Sequence, residues 1–143
     1  MIYKLSEQAI EDLLKDNLWG HLGCNDGFNT YVYPINYLYD GNNILSHSET
    51  GNKINVMRQN SRVCLQVEEV ENDKNWKSVM ITGKYEEVKD EREWNEAMKA
   101  FDDRRLYPKI TEPEQDAKLQ SKVEGHVVFR IVIDEKNGRY END

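Results

Sequence analysis

The stretch Tyr31-Val32-Tyr33-Pro34-Ile35-Asn36-Tyr37-Leu38-Tyr39, followed by Asp40-Gly41-Asn42 and by Asn43-Ile44-Leu45-Ser46-His47-Ser48, decides how the chain folds. Tyr31, Tyr33, Ile35, Tyr37 and Tyr39 alternate with Val32, Pro34, Asn36 and Leu38, which is the period-two pattern of a strand. Asp40-Gly41 supplies the backbone freedom of a tight hairpin turn, so residues 43–48 return as a second strand. Pro34 has no N–H to give to a ladder, so the strand over 29–39 is interrupted, bulged or at an edge there. Such a break frees backbone groups to meet a ligand, or else marks a plain edge strand.

Four further strands are expected over 18–24, 62–70, 77–88 and 125–134. Asn25-Asp26-Gly27 turns the first of these into the tyrosine strand. Val63, Leu65 and Val67 point one way in the strand over 62–70. Val79, Ile81 and Tyr85 face the core in the next strand, and Gly83 marks a bend or bulge. Gly138 is expected to start a turn into a short tail. Three helices accompany the strands. Ser6 caps a helix over 7–16 that covers one end of the sheet, and a short helix follows over 50–60 with Ile54 and Met57 buried. Asp90 and Glu93 form a capping-box pattern ahead of the stripe Trp94, Ala97, Met98 and Phe101. Tyr107-Pro108 ends that helix, and 109–124 reads as a polar surface segment. Six meandering antiparallel strands must hide their edges, and closing into a barrel does so.

At 143 residues, with no internal repeat or linker, the chain reads as a single domain over 1–143. A net charge of -8 excludes the basic footprint of nucleic-acid binding. No apolar run reaches the ~18 residues of a membrane span, and the amphipathic N-terminus has no signal core, so a cytoplasmic protein is expected. Cys24 and Cys64 are far apart and read as free thiols within strands. His21, His47 and His126 have no metal-ligand spacing, so no metal is expected.

Two segments could hold an anion. Ser46-His47-Ser48-Glu49-Thr50-Gly51-Asn52-Lys53 is a strand end, a hydroxyl-rich turn and a helix start. A helix N-terminus offers unpaired N–H groups and a positive dipole end, and Lys53 adds a full charge. The alternative is an ordinary helix cap with an exposed lysine. Trp76-Lys77-Ser78 again joins a cation to a hydroxyl, or is a solvated strand start with an aromatic anchor. Motifs for nucleophilic hydrolysis, zinc hydrolysis, a P-loop or a dinucleotide fold are absent from the sequence.

The ordered segments Leu18-Trp19-Gly20-His21-Leu22-Gly23, Val32-Tyr33-Pro34-Ile35-Asn36-Tyr37-Leu38-Tyr39, Ile44-Leu45-Ser46-His47-Ser48, Gly51-Asn52-Lys53-Ile54, Asn60-Ser61-Arg62-Val63-Cys64, Lys77-Ser78-Val79-Met80-Ile81-Thr82-Gly83-Lys84 and Val128-Phe129-Arg130-Ile131 carry a family resemblance over about residues 5–140. The chain resembles the FMN-binding split-barrel proteins related to pyridoxamine 5′-phosphate oxidase, and within them the branch of the nitroimidazole-resistance proteins. The resemblance implies a mainly β fold with flanking helices, a six-stranded antiparallel split β-barrel. It implies a homodimer with FMN at the subunit interface. The flavin would lie along Pro34, Ile35 and Asn36. Ser46 and His47, with Ser48 beside them, would approach the ring or ribityl chain, and Lys53 would hold the phosphate. Trp76, Lys77 and Ser78 would complete the pocket, across the interface in one arrangement. Relatives often carry a basic residue before the motif lysine, where this chain has Asn52. The implied activity is an FMN-dependent oxidoreduction of a small electron acceptor, a nitroaromatic compound being one candidate. The rival is a flavin- or small-ligand-binding dimer without turnover, a carrier or sensor. The tyrosine load of the 29–39 strand leads to the expectation that a dimer buries some of Tyr31, Tyr33, Tyr37 and Trp76.

Overall fold

The computed structural model describes residues 1–104 and 125–143, and the expectations for Tyr107-Pro108 and 109–124 lie outside them. The element order is β1 (Tyr3–Lys4), α1 (Glu7–Asp16), β2 (Trp19–Asn25), β3 (Thr30–Tyr39), β4 (Asn43–Glu49), α2 (Asn52–Gln59), β5 (Arg62–Asn72), β6 (Asn75–Glu87), α3 (Glu91–Arg104) and β7 (His126–Glu141). All pairings are antiparallel, in the order β1-β7-β4-β3-β2-β5-β6, and β6 also pairs with β7. That last pairing closes the six expected strands into a barrel. A seventh strand, β1, adds to the outside: Tyr3 and Lys4 pair with Tyr140 and Arg139. Two residues carry no readable period, so only the waiting edge of β7 makes them a strand.

The last strand is longer than expected. β7 runs past residue 134 to Glu141, and Gly138 sits within it opposite Val79, so it starts no turn. A side chain at Gly138 would collide with Leu5 and Ile10 (Cβ contacts of 2.8–2.9 Å), so this glycine lets the start of the chain lie against the sheet. Gly83 does mark a bulge: the register between β6 and β7 shifts at Thr82/Gly83. A Cβ there would lie 2.3 Å from the Val132 carbonyl oxygen.

Alternation fills the barrel. Leu22, Leu65, Ile81, Phe129 and Ile131 are fully buried in one cluster, with Ile10, Leu13 and Leu14 of α1 and Ile54, Val56 and Met57 of α2. The two helices therefore plug the interior. Ser6 caps α1 by accepting from the Ala9 N–H, and Asp90 caps α3 by accepting from Glu93 N–H. α3 lies outside, where Trp94 and Ala97 pack on Val88 and Val128. No described helix covers the outer face of β3-β2-β5-β6. The register lines Val32, Gly23, Cys64 and Thr82 across this face, with Pro34, His21, Gln66 and Met80 as the next row.

The tyrosines of β3 are Tyr31, Tyr33, Tyr37 and Tyr39. All four sit at odd positions and share the inner side of β3. Tyr37 is fully buried in its own barrel, and its hydroxyl donates to the Leu14 carbonyl at 2.7 Å. It belongs to the plug contact with α1 and leaves nothing for a partner to bury.

Candidate functional site

Pro34 marks where the sheet splits. β3 pairs with β2 from Thr30 to Asn36, but its pairing with β4 begins only at Tyr37↔Ser46. The Tyr37 N–H donates to the Leu18 carbonyl, which makes 37, 35 and 33 the residues that hydrogen-bond β2. Pro34 alternates with them, so its nitrogen faces the side that β4 has left. The missing donor costs nothing there, and residues 30–36 form a local edge. Ser46 pins the point of separation. It is fully buried and donates to the Asn36 carbonyl at 2.7 Å, while Asn36 Nδ2 donates to the Leu18 carbonyl.

The start of α2 faces this edge. Gly51 occupies the cap position without a side chain to accept from the first turn, and that turn holds no acidic residue. Asn52 Nδ2 donates to the Tyr33 hydroxyl at 2.5 Å, and Lys53 Nζ lies 5.8 Å from the centre of the Tyr33 ring. Lys53 is half-buried, and among the described residues it has no carboxylate within ion-pair distance. Burial pushes its pKa down from the usual lysine value. A desolvated cation without a counter-ion beside an uncapped helix start is a cradle for an anion. Cys24 is buried nearby, and burial raises its thiol pKa.

The other expected site residues divide into three places. Ser48 donates to the Glu49 carbonyl on the way to α2. His47 points to the opposite side of β4 from Ser46, under α3. There its Nδ1 lies 3.0 Å from His126 Nε2, and its ring meets Phe101 edge-on at 4.7 Å. Nothing in the spacing of His47 and His126 signals their pairing, since the two are joined only by the β4–β7 register. Trp76, Lys77 and Ser78 stand near the far end of the barrel. Trp76 Nε1 donates to Glu141 at 3.2 Å, and Ser78 Oγ accepts from Gln66 at 2.9 Å. Cys24 pairs with Val63, and Trp76 pairs with Val70, seven residues along β5. At about 3.3 Å per residue the Lys53 and Trp76 ends of one chain are roughly 23 Å apart. One chain does not bring the two halves together.

A closed antiparallel barrel split beside a proline, with an anion cradle at the split, defines the class. The model of the pyridoxamine 5′-phosphate oxidase family matches residues 6–140, and the chain belongs to that family. An uncharacterized protein of Rhizobium meliloti is 32% identical over 139 residues, covering 94% of this chain and 92% of that protein. Among solved structures, a FAD-binding protein from Mesorhizobium loti is similar at 29% identity, with 99% of each chain covered and a TM-score of 0.78. A proposed 5-nitroimidazole antibiotic resistance protein from Bacteroides thetaiotaomicron shares the fold at 23% identity, covering 98% of this chain and 87% of that one, with a TM-score of 0.77.

Proposed function

We propose that this protein is a flavin-dependent oxidoreductase that binds FMN and acts on a small electron acceptor, with nitroaromatic compounds as the first substrates to try. The observation that carries the reading is Lys53, a half-buried cation with no carboxylate partner among the described residues, at the uncapped start of α2. A phosphate monoester supplies the missing counter-charge, and the first-turn N–H groups of α2 supply its hydrogen bonds. The one-sided edge of β3 around Pro34, Ile35 and Asn36 offers backbone groups and a flat approach for the ring system. The bound flavin supplies the electron transfer, and the chain supplies placement.

The same reading makes the protein a homodimer. Trp76, Lys77 and Ser78 are too far from Lys53 to share its pocket within one chain, so in this reading they come from the partner. The uncovered face of β3-β2-β5-β6 supports this, with Trp19 60% and Val32 67% exposed. The M. loti neighbour is a FAD-binding protein. FMN and FAD share the ring, the ribityl chain and the first phosphate, so the cradle suits either, and FMN is the form proposed.

The absorption spectrum of the purified protein, with mass identification of the released flavin, tests binding and separates FMN from FAD. A protein that is colourless and gains no flavin on titration would overturn the reading. Reduction by NAD(P)H followed by reoxidation with a nitroaromatic acceptor tests turnover. Bound flavin that fails to turn over with any acceptor favours the carrier or sensor role.

A further inference from the structure

Phe28 is 91% exposed, although its turn is tightly held. Asp26 Oδ1 accepts from the Phe28 and Asn29 N–H groups at 2.8 Å each, and Gly27 supplies a φ of +100°. A fixed loop that holds a phenyl ring in water forgoes the burial such a ring ordinarily gains. At the other end of the barrel lies an open groove of about 970 Å³. Leu5, Ala9, Val70, Trp76 and Tyr140 give it an apolar lining, and Val70 is 60% exposed.

The geometry points to the 25–29 turn of a second copy of this chain as the occupant of that groove, with Phe28 as the inserted side chain. The inference rests on the dimer of the preceding subsection and adds the contact that fixes its geometry. The uncovered face is centred on the paired residues His21 and Gln66. Asn25, where the Phe28 turn begins, is four residues from His21 along β2. Val70, at the groove, is four residues from Gln66 along β5, in the opposite direction. Each offset is about 13 Å. A two-fold axis that lies in the plane of the face and runs perpendicular to the strands lays one chain's turn on the other's groove, and the reverse contact forms by symmetry.

Charge favours the same arrangement. Arg62 and Lys84 are paired neighbours, both exposed, at the Phe28 end, and neither forms an ion pair among the described residues. Around the groove the four acids Glu68, Glu69, Glu71 and Glu141 outnumber the two cations Lys4 and Lys77, so its rim is net acidic. The two-fold sets the basic end of each copy on the acidic end of the other, and like ends stay apart.

Two measurements test this. The first is the dimer dissociation constant of the wild type and of Phe28→Ala by sedimentation equilibrium. The variant should weaken the dimer about a hundredfold, tenfold for each of the two symmetric contacts, with an unchanged circular dichroism spectrum because Phe28 is exposed in the monomer. The second is oxidation of Phe28→Cys/Val70→Cys in a Cys64→Ser background, which should give a covalent dimer on a non-reducing gel. Within one chain those positions are roughly 23 Å or more apart and cannot bridge. A dimeric wild type whose affinity is unchanged by Phe28→Ala, with no covalent dimer from the cysteine pair, overturns this contact and leaves the dimer standing. A wild type that is monomeric at tens of micromolar overturns the dimer itself.

Discussion

Replacing Lys53 by methionine keeps most of the side-chain volume and removes the charge. In the structure that charge is half-buried, has no carboxylate near it among the described residues, and is held below the ordinary lysine pKa of 10.5 by burial. Two opposite effects follow. The folded chain no longer desolvates an unpaired cation, so the flavin-free protein should gain roughly 0.5–1 kcal/mol, about 2–5 °C in melting temperature. The phosphate loses its one full counter-charge, so FMN should bind about one to two decades more weakly, as a charge-assisted contact of roughly 1.5–3 kcal/mol requires. Riboflavin, which has no phosphate, should bind both proteins equally. The pH dependence has a definite sign. A lysine whose folded pKa is lowered carries its charge fully only below that value. Wild-type affinity for FMN should therefore be full near neutral pH and fall as pH rises through the lowered value, and the Lys53→Met variant should lose this slope. Flavin fluorescence titrations at several pH values between about 7.5 and 10.5, with thermal melts of the flavin-free proteins, measure all of it. Equal FMN affinities for the two proteins would place the phosphate elsewhere, with Lys77 the next candidate. Equal losses for FMN and riboflavin would show that the substitution disturbed the pocket and not the phosphate contact.

Gly83→Ala should cost about 3–5 kcal/mol in urea unfolding, because its Cβ would lie 2.3 Å from a backbone oxygen that cannot move aside, and near-neutral behaviour would mean that β6 and β7 do not close the barrel as described. Tyr37→Phe should cost about 1–2 kcal/mol by the same measurement, since it leaves the buried Leu14 carbonyl without its donor. For Glu11, burial raises the carboxyl pKa, but hydrogen bonds from Tyr39 and Lys136 outweigh it and hold the group below 4.5. Its contribution is then present above pH 4.5 and lost as pH falls through the lowered folded value. Glu11→Gln should flatten the acid limb of melting temperature against pH, by no more than about 0.5–1 kcal/mol for a group this exposed. An acid limb identical to wild type would remove Glu11 from the account.

The sequence by itself determined most of the barrel. Period-two alternation in 62–70 and 77–88 put Val63, Leu65, Val67, Val79 and Ile81 inside, because a strand's side chains must take alternate faces. The helical stripe of α3 was legible for the same reason at the other period, with Trp94, Ala97 and Phe101 buried. The lysine at the start of α2 was also legible, since a helix start and a cation are local features. Long-range pairing decided the rest. β1 is a strand only because β7 offers an edge, and Gly138 stays in β7 only because Leu5 and Ile10 fill the space its side chain would take. Pro34 left three local readings open, and the departure of β4 selected the edge. Ser46 and His47 are adjacent in sequence but serve opposite faces of one strand, one pinning the split and the other meeting His126 under α3. Whether Trp76 and Lys53 share a pocket could not be read from their spacing. In a barrel, distance along the chain does not fix distance in space, and the β5 register sets these two at opposite ends.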